Sequence, residues 1–233
     1  MTERAFIDLH CHTSSSFDSL ADPAKVVRTA ADRGLTHLIV TDHDRIDGAL
    51  RARDAAPDGL TVIVGEEVRT AGGDLIAAFI EAPIPGGMRI ADTIEAIRAQ
   101  GGLVGVPHPF DRLRGSILAA PEGVAPAIGG LVDWIEVHNA RLVGRGNERA
   151  AAFAVDHGLP GVAASDAHTV MEVGVAYTAL DGDPSTAAGL RTALATAQLV
   201  PGRASYAVRL WTPIAKGVQW ARGNRRGRMA ITA

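Results

Sequence analysis

Histidines and carboxylates recur in three short clusters that lie far apart along the chain. Each cluster directly follows a run of apolar residues that is typical of a buried β-strand. Unpaired polar and charged groups are costly to bury, so imidazoles and carboxylates gathered in one place indicate bound metal ions. The clusters would form one site if the fold brings these strand ends to the same rim. They are Asp8–Thr13, Thr41–Asp44 and Ser165–His168.

The first cluster has the spacing of a chelating pair. His10 and His12 are two residues apart, which places both imidazoles on one face of a strand. Asp8 shares that face and Cys11 lies on the other, so we expect Cys11 to be a small core residue. The alternative, a pair of hydrogen-bonded rim histidines, weakens once the other two clusters are considered.

Further candidate ligands follow other predicted strands. Asp18 lies in a serine-rich loop, where it would otherwise be a turn residue. Glu66 and Glu67 follow an apolar run, and a carboxylate there can bridge two ions. His108 is held between two prolines, which is typical of rigid placement. The candidate metal ligands are His10, His12, Asp18, His43, one of Glu66 and Glu67, His108, Asp166 and His168.

Three other histidines carry weaker signals. His138 lies beyond Glu136 on the same face of a predicted strand, so it is a further candidate ligand. His37 precedes an apolar strand and His157 ends a predicted helix, so we expect both to be structural.

Apolar runs alternate with amphipathic segments along most of the chain. One helix is predicted to begin at Pro23 with Asp22 as its N-cap, and to end at Gly34. Other helices are predicted over residues 92–100 and 146–157 and after Asp183–Pro184. Such alternation indicates a parallel sheet in a single α/β domain. The predicted strands are Phe6–Cys11, Leu38–Val40, Thr61–Val64, Leu75–Ile80, Leu103–Val106, Ile135–Val137 and Gly161–Ala164.

Composition narrows the class of protein. The 233 residues are 47% hydrophobic, enough for one sizeable core. The net charge of −3 gives no general attraction to nucleic acid or membranes, so we expect no stable nucleic-acid complex. One cysteine excludes an intrachain disulfide, and a cytoplasmic location is expected. No apolar stretch is long enough to span a membrane.

The last residues differ from the rest of the chain. Residues 203–233 contain seven Lys and Arg residues and no acidic residue. We therefore divide the chain into a domain over residues 1–202 and a basic C-terminal tail over residues 203–233. The favoured interpretation of the tail is a final strand and helix with a solvated basic end. A phosphate-steering or oligomer contact is the alternative.

Taken together, the motifs resemble those of the PHP (polymerase and histidinol phosphatase) superfamily over about residues 5–180. The resemblance implies a distorted (β/α)7 barrel, a site for two to three divalent ions, and phosphoester hydrolysis. The segments look most like those of small stand-alone bacterial phosphoesterases. The motifs that carry the resemblance are His10-x-His12-Thr13, Thr41-Asp42-His43, Gly65-x-Glu67, His108-Pro109 and Ser165-Asp166-Ala167-His168.

The resemblance also implies how the ligands are shared. One ion would be held by His10, His12, Glu67 and Asp166, a second by Glu67 and His108, and a third by Asp18, His43 and His168. The chain departs from the family around the second ion. Many members have a histidine where this chain offers only Asp74, and another where only His138 is near.

A metal-activated hydroxide would then attack phosphorus in line. Histidine and carboxylate ligands suit Zn²⁺, Mn²⁺ or Fe²⁺. The catalytic role is assigned to Glu67, Asp166 and His168, and Asp8, Asp42 and Asp44 are expected to orient ligand imidazoles. Arg141, Arg112 and Arg114 are the candidates for binding phosphate, with Arg141 favoured because its strand ends at the same rim.

The expected function is hydrolysis of a small phosphomonoester or a nucleotide phosphodiester. A metal-dependent amidohydrolase is an alternative, although the bridging-lysine subtype is disfavoured because the chain has only Lys25 and Lys216. A catalytically silent metal-binding module, or a proofreading domain that works beside a polymerase, is the third interpretation. The completeness of the first and third ligand sets disfavours a silent module.

Overall fold

A computed structural model of the chain describes residues 4–111, 116–117, 128 and 130–226. The strands are β1 (Arg4–Cys11), β2 (His37–Val40), β3 (Thr61–Thr70), β4 (Gly73–Ala78), β5 (Leu103–Val106), β6 (Trp134–Asn139), β7 (Gly161–Ala164), β8 (Tyr177–Asp181) and β9 (Gln198–Val200). The helices are α1 (Pro23–Asp32), α2 (Asp47–Asp54), α3 (Ile90–Ala99), α4 (Gly146–Asp156), α5 (Ala187–Ala193), α6 (Tyr206–Arg209) and α7 (Trp211–Ala221), with a short 3₁₀ helix at Leu194–Thr196.

Strands β1 to β7 surround one core and close on themselves. Their order in the sheet is β7-β6-β5-β4-β3-β2-β1, and β8 and β9 continue beyond β1. Just past the end of β7, the Asp166 amide donates to the His10 carbonyl at 2.9 Å, and the His12 amide donates to the Ala167 carbonyl at 2.8 Å. These bonds join the last strand of the ring to the first. The predicted distorted seven-stranded barrel is therefore confirmed.

The predicted parallel pairing does not hold for every strand. Strand β4 runs antiparallel to both β3 and β5, and β8 runs antiparallel to β1 and β9. Strands β3 and β4 are joined by only Ala71 and Gly72, whereas a parallel crossover needs a dozen or more residues. Strand β3 also runs past its predicted end, because buried Glu66 and Glu67 interrupt the apolar run without ending the strand.

Helix α1 follows its sequence signals closely. The Asp22 side chain accepts a hydrogen bond from the Lys25 amide at 3.2 Å, which caps the helix, and Pro23 is the first helical residue. Val26, Val27 and Ala30 are fully buried on the face toward the barrel. Because this cap sets where the helix starts, it also sets the length of the preceding loop, which carries Asp18.

A tight contact between β5 and β6 predicts the effect of a substitution in the core. A Cβ atom at Gly105 would overlap the indole ring of Trp134, which is fully buried. We expect G105A to lower the free energy of unfolding by about 1–3 kcal/mol, because overpacking forces the ring or a strand to shift. Urea denaturation of both proteins measures the difference.

The matched control for that substitution is G217A. Gly217 lies inside α7 with no atom near its missing Cβ, so alanine there should stabilise the helix by about 0.5–1 kcal/mol. Equal unfolding free energies for the two variants would contradict the packing argument.

The C-terminal segment packs against the barrel and contains helices but no strand among its described residues, 203–226. Gln219 is 2% exposed, and its Nε2 lies within hydrogen-bonding distance of the carbonyls of Ser14, Ser16 and Ser19, at 2.7, 3.1 and 2.7 Å. This segment is therefore anchored to the barrel at Gln219, while the basic Arg222 and Arg225 are exposed and residues 227–233 lie outside the described residues. No helix among the described residues is both long and apolar enough to cross a membrane.

Candidate metal centre

The carboxyl ends of five barrel strands bring the predicted ligands to one rim, where α/β barrels place their active sites. Every one of these ligands is buried except His43, which is half-buried. The ligands come from the ends of β1, β2, β3, β5 and β7, or from the residues that directly follow them, and they are His10, His12, His43, Glu67, His108, Asp166 and His168; Asp18 reaches the rim from the loop after β1.

The first group of ligand atoms centres on Glu67. Its Oε2 lies 3.2 Å from the His10 Nε2 and 3.3 Å from the His12 Nε2. The Asp166 Oδ1 lies 3.6 and 3.5 Å from the same two nitrogens. The ligand atoms of His10, His12 and Glu67 all lie within 4.8 Å of one another. Four donors that face one another at these distances suit a single divalent ion.

A second group lies directly beside the first. Ligand atoms of His12, Asp18, His43 and His168 lie within 4.8 Å of one another. The Asp18 Oδ2 is 3.5 Å from the His43 Nε2 and 3.4 Å from the His168 Nε2. His12 therefore belongs to both groups, whereas the sequence placed it in only one. Because the His12 Nδ1 is engaged by Ser16 and the Nε2 has a single lone pair, His12 can bind one ion, and its Nε2 lies where the two groups adjoin.

The remaining predicted ligand set, Glu67 and His108, contains the fewest ligand atoms. The His108 Nε2 lies 3.1 Å from Glu67 Oε1, while Oε2 of the same carboxylate faces the first group. Glu67 therefore presents one oxygen to each side, as a bridging carboxylate would. His108 is not a member of a group of three or more ligands within the described residues.

The interpretation of His138 as a further ligand is wrong. Its Nε2 hydrogen-bonds the Gly202 carbonyl at 2.7 Å, outside both ligand groups. Strand β6 has an irregular register between Glu136 and His138, so the two residues do not keep the alternation of a regular strand. The alternation that would place both side chains on one face of the strand therefore does not hold here.

The ligand imidazoles are oriented through their second nitrogen atoms. The His10 Nδ1 pairs with Glu136 Oε1 at 2.7 Å, and the His12 Nδ1 pairs with the Ser16 hydroxyl at 3.0 Å. The His108 Nδ1 lies 3.1 Å from the Ser116 hydroxyl. Partners of this type fix the tautomer and the ring direction of a metal ligand.

Asp8, Asp42 and Asp44 do not orient imidazoles, contrary to prediction. Asp8 accepts from the Ser165 amide at 3.0 Å, Asp42 from the Thr13 amide, and Asp44 from the Arg69 amide. Burial raises the pKa of Asp8 to about 6, although the Ser165 hydrogen bonds oppose this effect. These carboxylates hold the loops that carry the ligands.

Glu136 is the carboxylate that orients ligand histidines, a role that was not predicted from the sequence. Glu136 is fully buried, and its Oε2 accepts hydrogen bonds from the His108 amide and the Asn139 side chain, each at 2.8 Å. One carboxylate therefore positions two ligands from different strands. A charged residue inside the apolar run of β6 was the available signal.

Replacing Glu136 with glutamine should weaken metal binding while leaving the ligands themselves in place. The neutral amide cannot match the carboxylate on His10, so we expect a loss of roughly 10- to 100-fold in metal affinity. Calorimetric titration of the metal-free protein with Mn²⁺ measures it. E148Q is the control, because Glu148 is exposed on α4 and pairs only with Arg145 at the surface. An affinity for E136Q equal to that of E148Q would contradict the orienting role.

Opposite charges hold the centre together. Burial alone would lower the pKa of His12, but Asp166 and Glu67 raise it to about 9. Burial would raise the pKa of Glu67, but the imidazoles of His43 and His10 hold it well below its usual range. Burial and the charge of Arg141 lower the pKa of His168 to about 3, which keeps that ring neutral and able to bind a cation.

The residues present fit divalent metal ions. The donors are imidazole nitrogens and carboxylate oxygens, which suit Zn²⁺, Mn²⁺ or Fe²⁺. The Asp18 Oδ1 is buried, and no residue in the described part of the chain gives it a hydrogen bond. A buried carboxylate oxygen without a donor is unfavourable unless a cation reaches it. The two overlapping groups therefore match two neighbouring ions.

The centre opens into a cavity of about 690 Å³. Arg141 is the predicted phosphate ligand that the structure places there, whereas Arg112 and Arg114 lie outside the described residues. The Arg141 Nη2 donates to the Thr212 hydroxyl at 2.6 Å, and its Nε lies 3.4 Å from Glu172. Its Nη1 is buried and has no hydrogen-bond partner among the described residues. The cationic residues that line the cavity are Arg69, Arg141, Arg145, Arg149, Arg209, Lys216 and Arg226.

Two family models cover most of this architecture. The model of the PHP domain matches residues 8–120, and a model of a PHP-associated region matches residues 144–199. The matched ranges contain all the ligands of the two groups. The chain belongs to the PHP superfamily.

Relatives in the PHP superfamily include proteins of several kinds. An uncharacterized protein of Methanocaldococcus jannaschii is 33% identical over 114 residues, which are 44% of this chain and 67% of that protein. A two-domain Bacteroides vulgatus protein that contains a predicted PHP-like metal-dependent phosphoesterase has a similar structure. Its TM-score is 0.71 at 20% identity, with 86% of this chain and 66% of that chain covered. The present chain thus spans about two thirds of each of these proteins.

A third PHP neighbour is the lesion-specific endonuclease of Pyrococcus furiosus, with a TM-score of 0.62 at 16% identity, covering 84% of this chain and 58% of that one. At such identities the structural neighbours show the fold. The PHP fold and the His/Asp/Glu cluster together establish a centre that can bind metal.

Proposed function

We propose that this PHP domain is a metal-dependent phosphoesterase that hydrolyses a small phosphomonoester or a nucleotide phosphodiester. The observation that carries the proposal is the position of Arg141 beside the second ligand group. Its Nη1 is buried without a hydrogen-bond partner in the described residues, and it lines the same cavity as Asp18, His43 and His168. A guanidinium held beside a metal centre suits the oxygens of a phosphate group.

The ligand groups assign the residues to their roles. His10, His12, Glu67 and Asp166 would hold one ion, and Asp18, His43 and His168 would hold the other. Divalent ions bound there would supply Lewis-acid chemistry, lowering the pKa of a water molecule and neutralising charge on phosphate oxygens. Of the residues assigned to catalysis, Glu67 and Asp166 line the cavity from the first group and His168 lines it from the second.

Arg141 is pre-positioned for its role by its neighbours. The Glu172 carboxylate and the Thr212 hydroxyl hold its other nitrogens, so little side-chain entropy is lost when a phosphate binds. Glu172 also accepts from the His168 amide at 3.1 Å, which links the phosphate ligand to the metal ligand. The phosphate would therefore lie at a defined distance from the second ion.

The cavity suits an extended substrate as well as a compact one. Arg145 and Arg149 on α4 line it beyond Arg141, and Phe110 stacks under the Arg149 guanidinium at 4.4 Å. Cations beyond the reacting phosphate favour a substrate with more than one phosphate group. The endonuclease among the structural neighbours makes oligonucleotide ends a substrate class to test beside mononucleotides.

Metal analysis coupled to a substrate screen tests the proposal. Protein purified without chelator would be analysed for metal content and assayed with 4-nitrophenyl phosphate and bis(4-nitrophenyl) phosphate in added Mn²⁺. About two ions per chain with turnover is the expected result, and the preferred ester separates monoester from diester chemistry. Bound metal without turnover of either ester, or of an oligonucleotide, would overturn the phosphoesterase assignment. Less than one ion per chain after reconstitution would overturn the metal centre itself.

A further inference from the structure

We infer that the C-terminal segment, residues 203–226, forms part of the site. Its Arg226 is a fixed cation whose guanidinium is paired with the Asp74 carboxylate. In this position the guanidinium supplies the positive charge that a further metal ion would bring beside Glu67 and His108. The inference rests on the proposed metal-dependent function and deepens it. It predicts that this chain binds two metal ions and that the Arg226 guanidinium takes the place of a third.

The segment is held by the loop that carries metal-site residues. The Asn224 Nδ2 donates to the Ser15 carbonyl at 2.8 Å, and Gln219 contacts the carbonyls of Ser14, Ser16 and Ser19. Asp18, a ligand of the second group, lies in the same loop. The segment also lies beyond residue 199, where the match to the PHP-associated region ends.

Arg226 is locked in place by two carboxylates. Its Nη2 and Nη1 lie 3.0 and 3.3 Å from the two oxygens of Asp74, and its Nε donates to Asp44 at 2.7 Å. The Arg226 side chain is only 9% exposed. A guanidinium paired in this bidentate way keeps its charge at all ordinary pH values.

Asp74 is a carboxylate of the same cavity that belongs to neither ligand group. It lines the cavity together with Glu67 and His108, and no described residue completes a group of three ligand atoms with those two. Both Asp74 oxygens are turned to Arg226, so Asp74 is not available to become that third ligand. A second cation placed against the guanidinium would also be repelled by it.

Asp74 and Arg226 can be tested separately by counting metal ions. The wild-type protein, D74N, R226Q and the double variant D74N/R226Q would be loaded with Mn²⁺, dialysed and analysed for metal content. We expect two ions per chain for the wild type and for D74N, because Asp74 is not a ligand. R226Q leaves Asp74 without its guanidinium partner and free to turn toward Glu67 and His108, so it should gain one ion, and D74N/R226Q should return to two.

Two results would overturn the inference. Loss of an ion in D74N would show that Asp74 binds metal, and an unchanged count in R226Q would show that the guanidinium does not exclude an ion. R222Q is the matched control, because Arg222 is exposed at the end of α7 in the same segment. R226K keeps the charge and should keep two ions, which separates the effect of charge from a folding defect. A wild-type count below one would instead overturn the proposed function, and the inference with it.

Discussion

Replacing His12 with alanine is expected to reduce kcat/KM for phosphoester hydrolysis by on the order of 1,000-fold, or about 4 kcal/mol of transition-state stabilisation. The reason is that His12 is a proposed ligand of the first ion and its Nε2 also lies beside the second ligand group, so its loss removes one ligand and disturbs the neighbouring site. Its Nε2 lies 3.3 Å from Glu67 and 3.5 Å from Asp166, and both carboxylates would lose this imidazole neighbour. Steady-state kinetics with the better of the two nitrophenyl esters measures the effect.

The metal content of the H12A variant distinguishes a direct effect on metal binding from a general loss of structure. We expect about one ion per chain to remain after dialysis, with a far-ultraviolet circular dichroism spectrum like that of the wild type. H157A is the matched control, because His157 is exposed at the end of α4 and its Nδ1 contacts the Phe153 carbonyl. Full metal content and full activity in H12A would contradict the assignment of His12 as a metal ligand.

Replacing Arg141 with alanine is expected to lower kcat/KM by about 100-fold, the usual effect of removing one pre-positioned donor from a reacting anion. Metal content should stay at the wild-type value, because Arg141 is proposed to bind the substrate phosphate and is not a metal ligand. Inhibition by inorganic phosphate supplies an independent measurement, and we expect the inhibition constant to rise with KM. R28A is the control, since Arg28 is exposed on α1 and bonds only within its own helix.

A stability loss must be separated from this loss of binding. Glu172 is 1% exposed and would remain as a buried charge in R141A, which costs about 3–5 kcal/mol when one partner of a buried pair is removed. The double variant R141A/E172Q removes that charge and should recover thermal stability without recovering activity. Recovery of activity together with stability would show that Arg141 is structural and does not bind phosphate.

The strongest sequence signal was local. His10 and His12 share a strand face because side chains alternate along any strand, so their pairing followed from spacing alone. The same reasoning failed at His138, because an irregular register between Glu136 and His138 interrupts the alternation. It also failed for the sheet, where the two-residue turn before β4 reverses the strand direction. Regular periodicity therefore predicts a side chain's direction only where the strand itself is regular.

The sequence by itself determined which residue types gather at the strand ends and hence the chemistry of the centre. Only the tertiary structure decided which of them face one another and which side chains support them. Glu136 meets His10 across 126 residues, and Arg226 meets Asp74 across 152. Such pairs depend on how the barrel closes and where the C-terminal segment packs, and neither is encoded in the spacing of neighbouring residues. The physical reason is that ligand identity is a property of short segments, whereas ligand sharing depends on distances between strands.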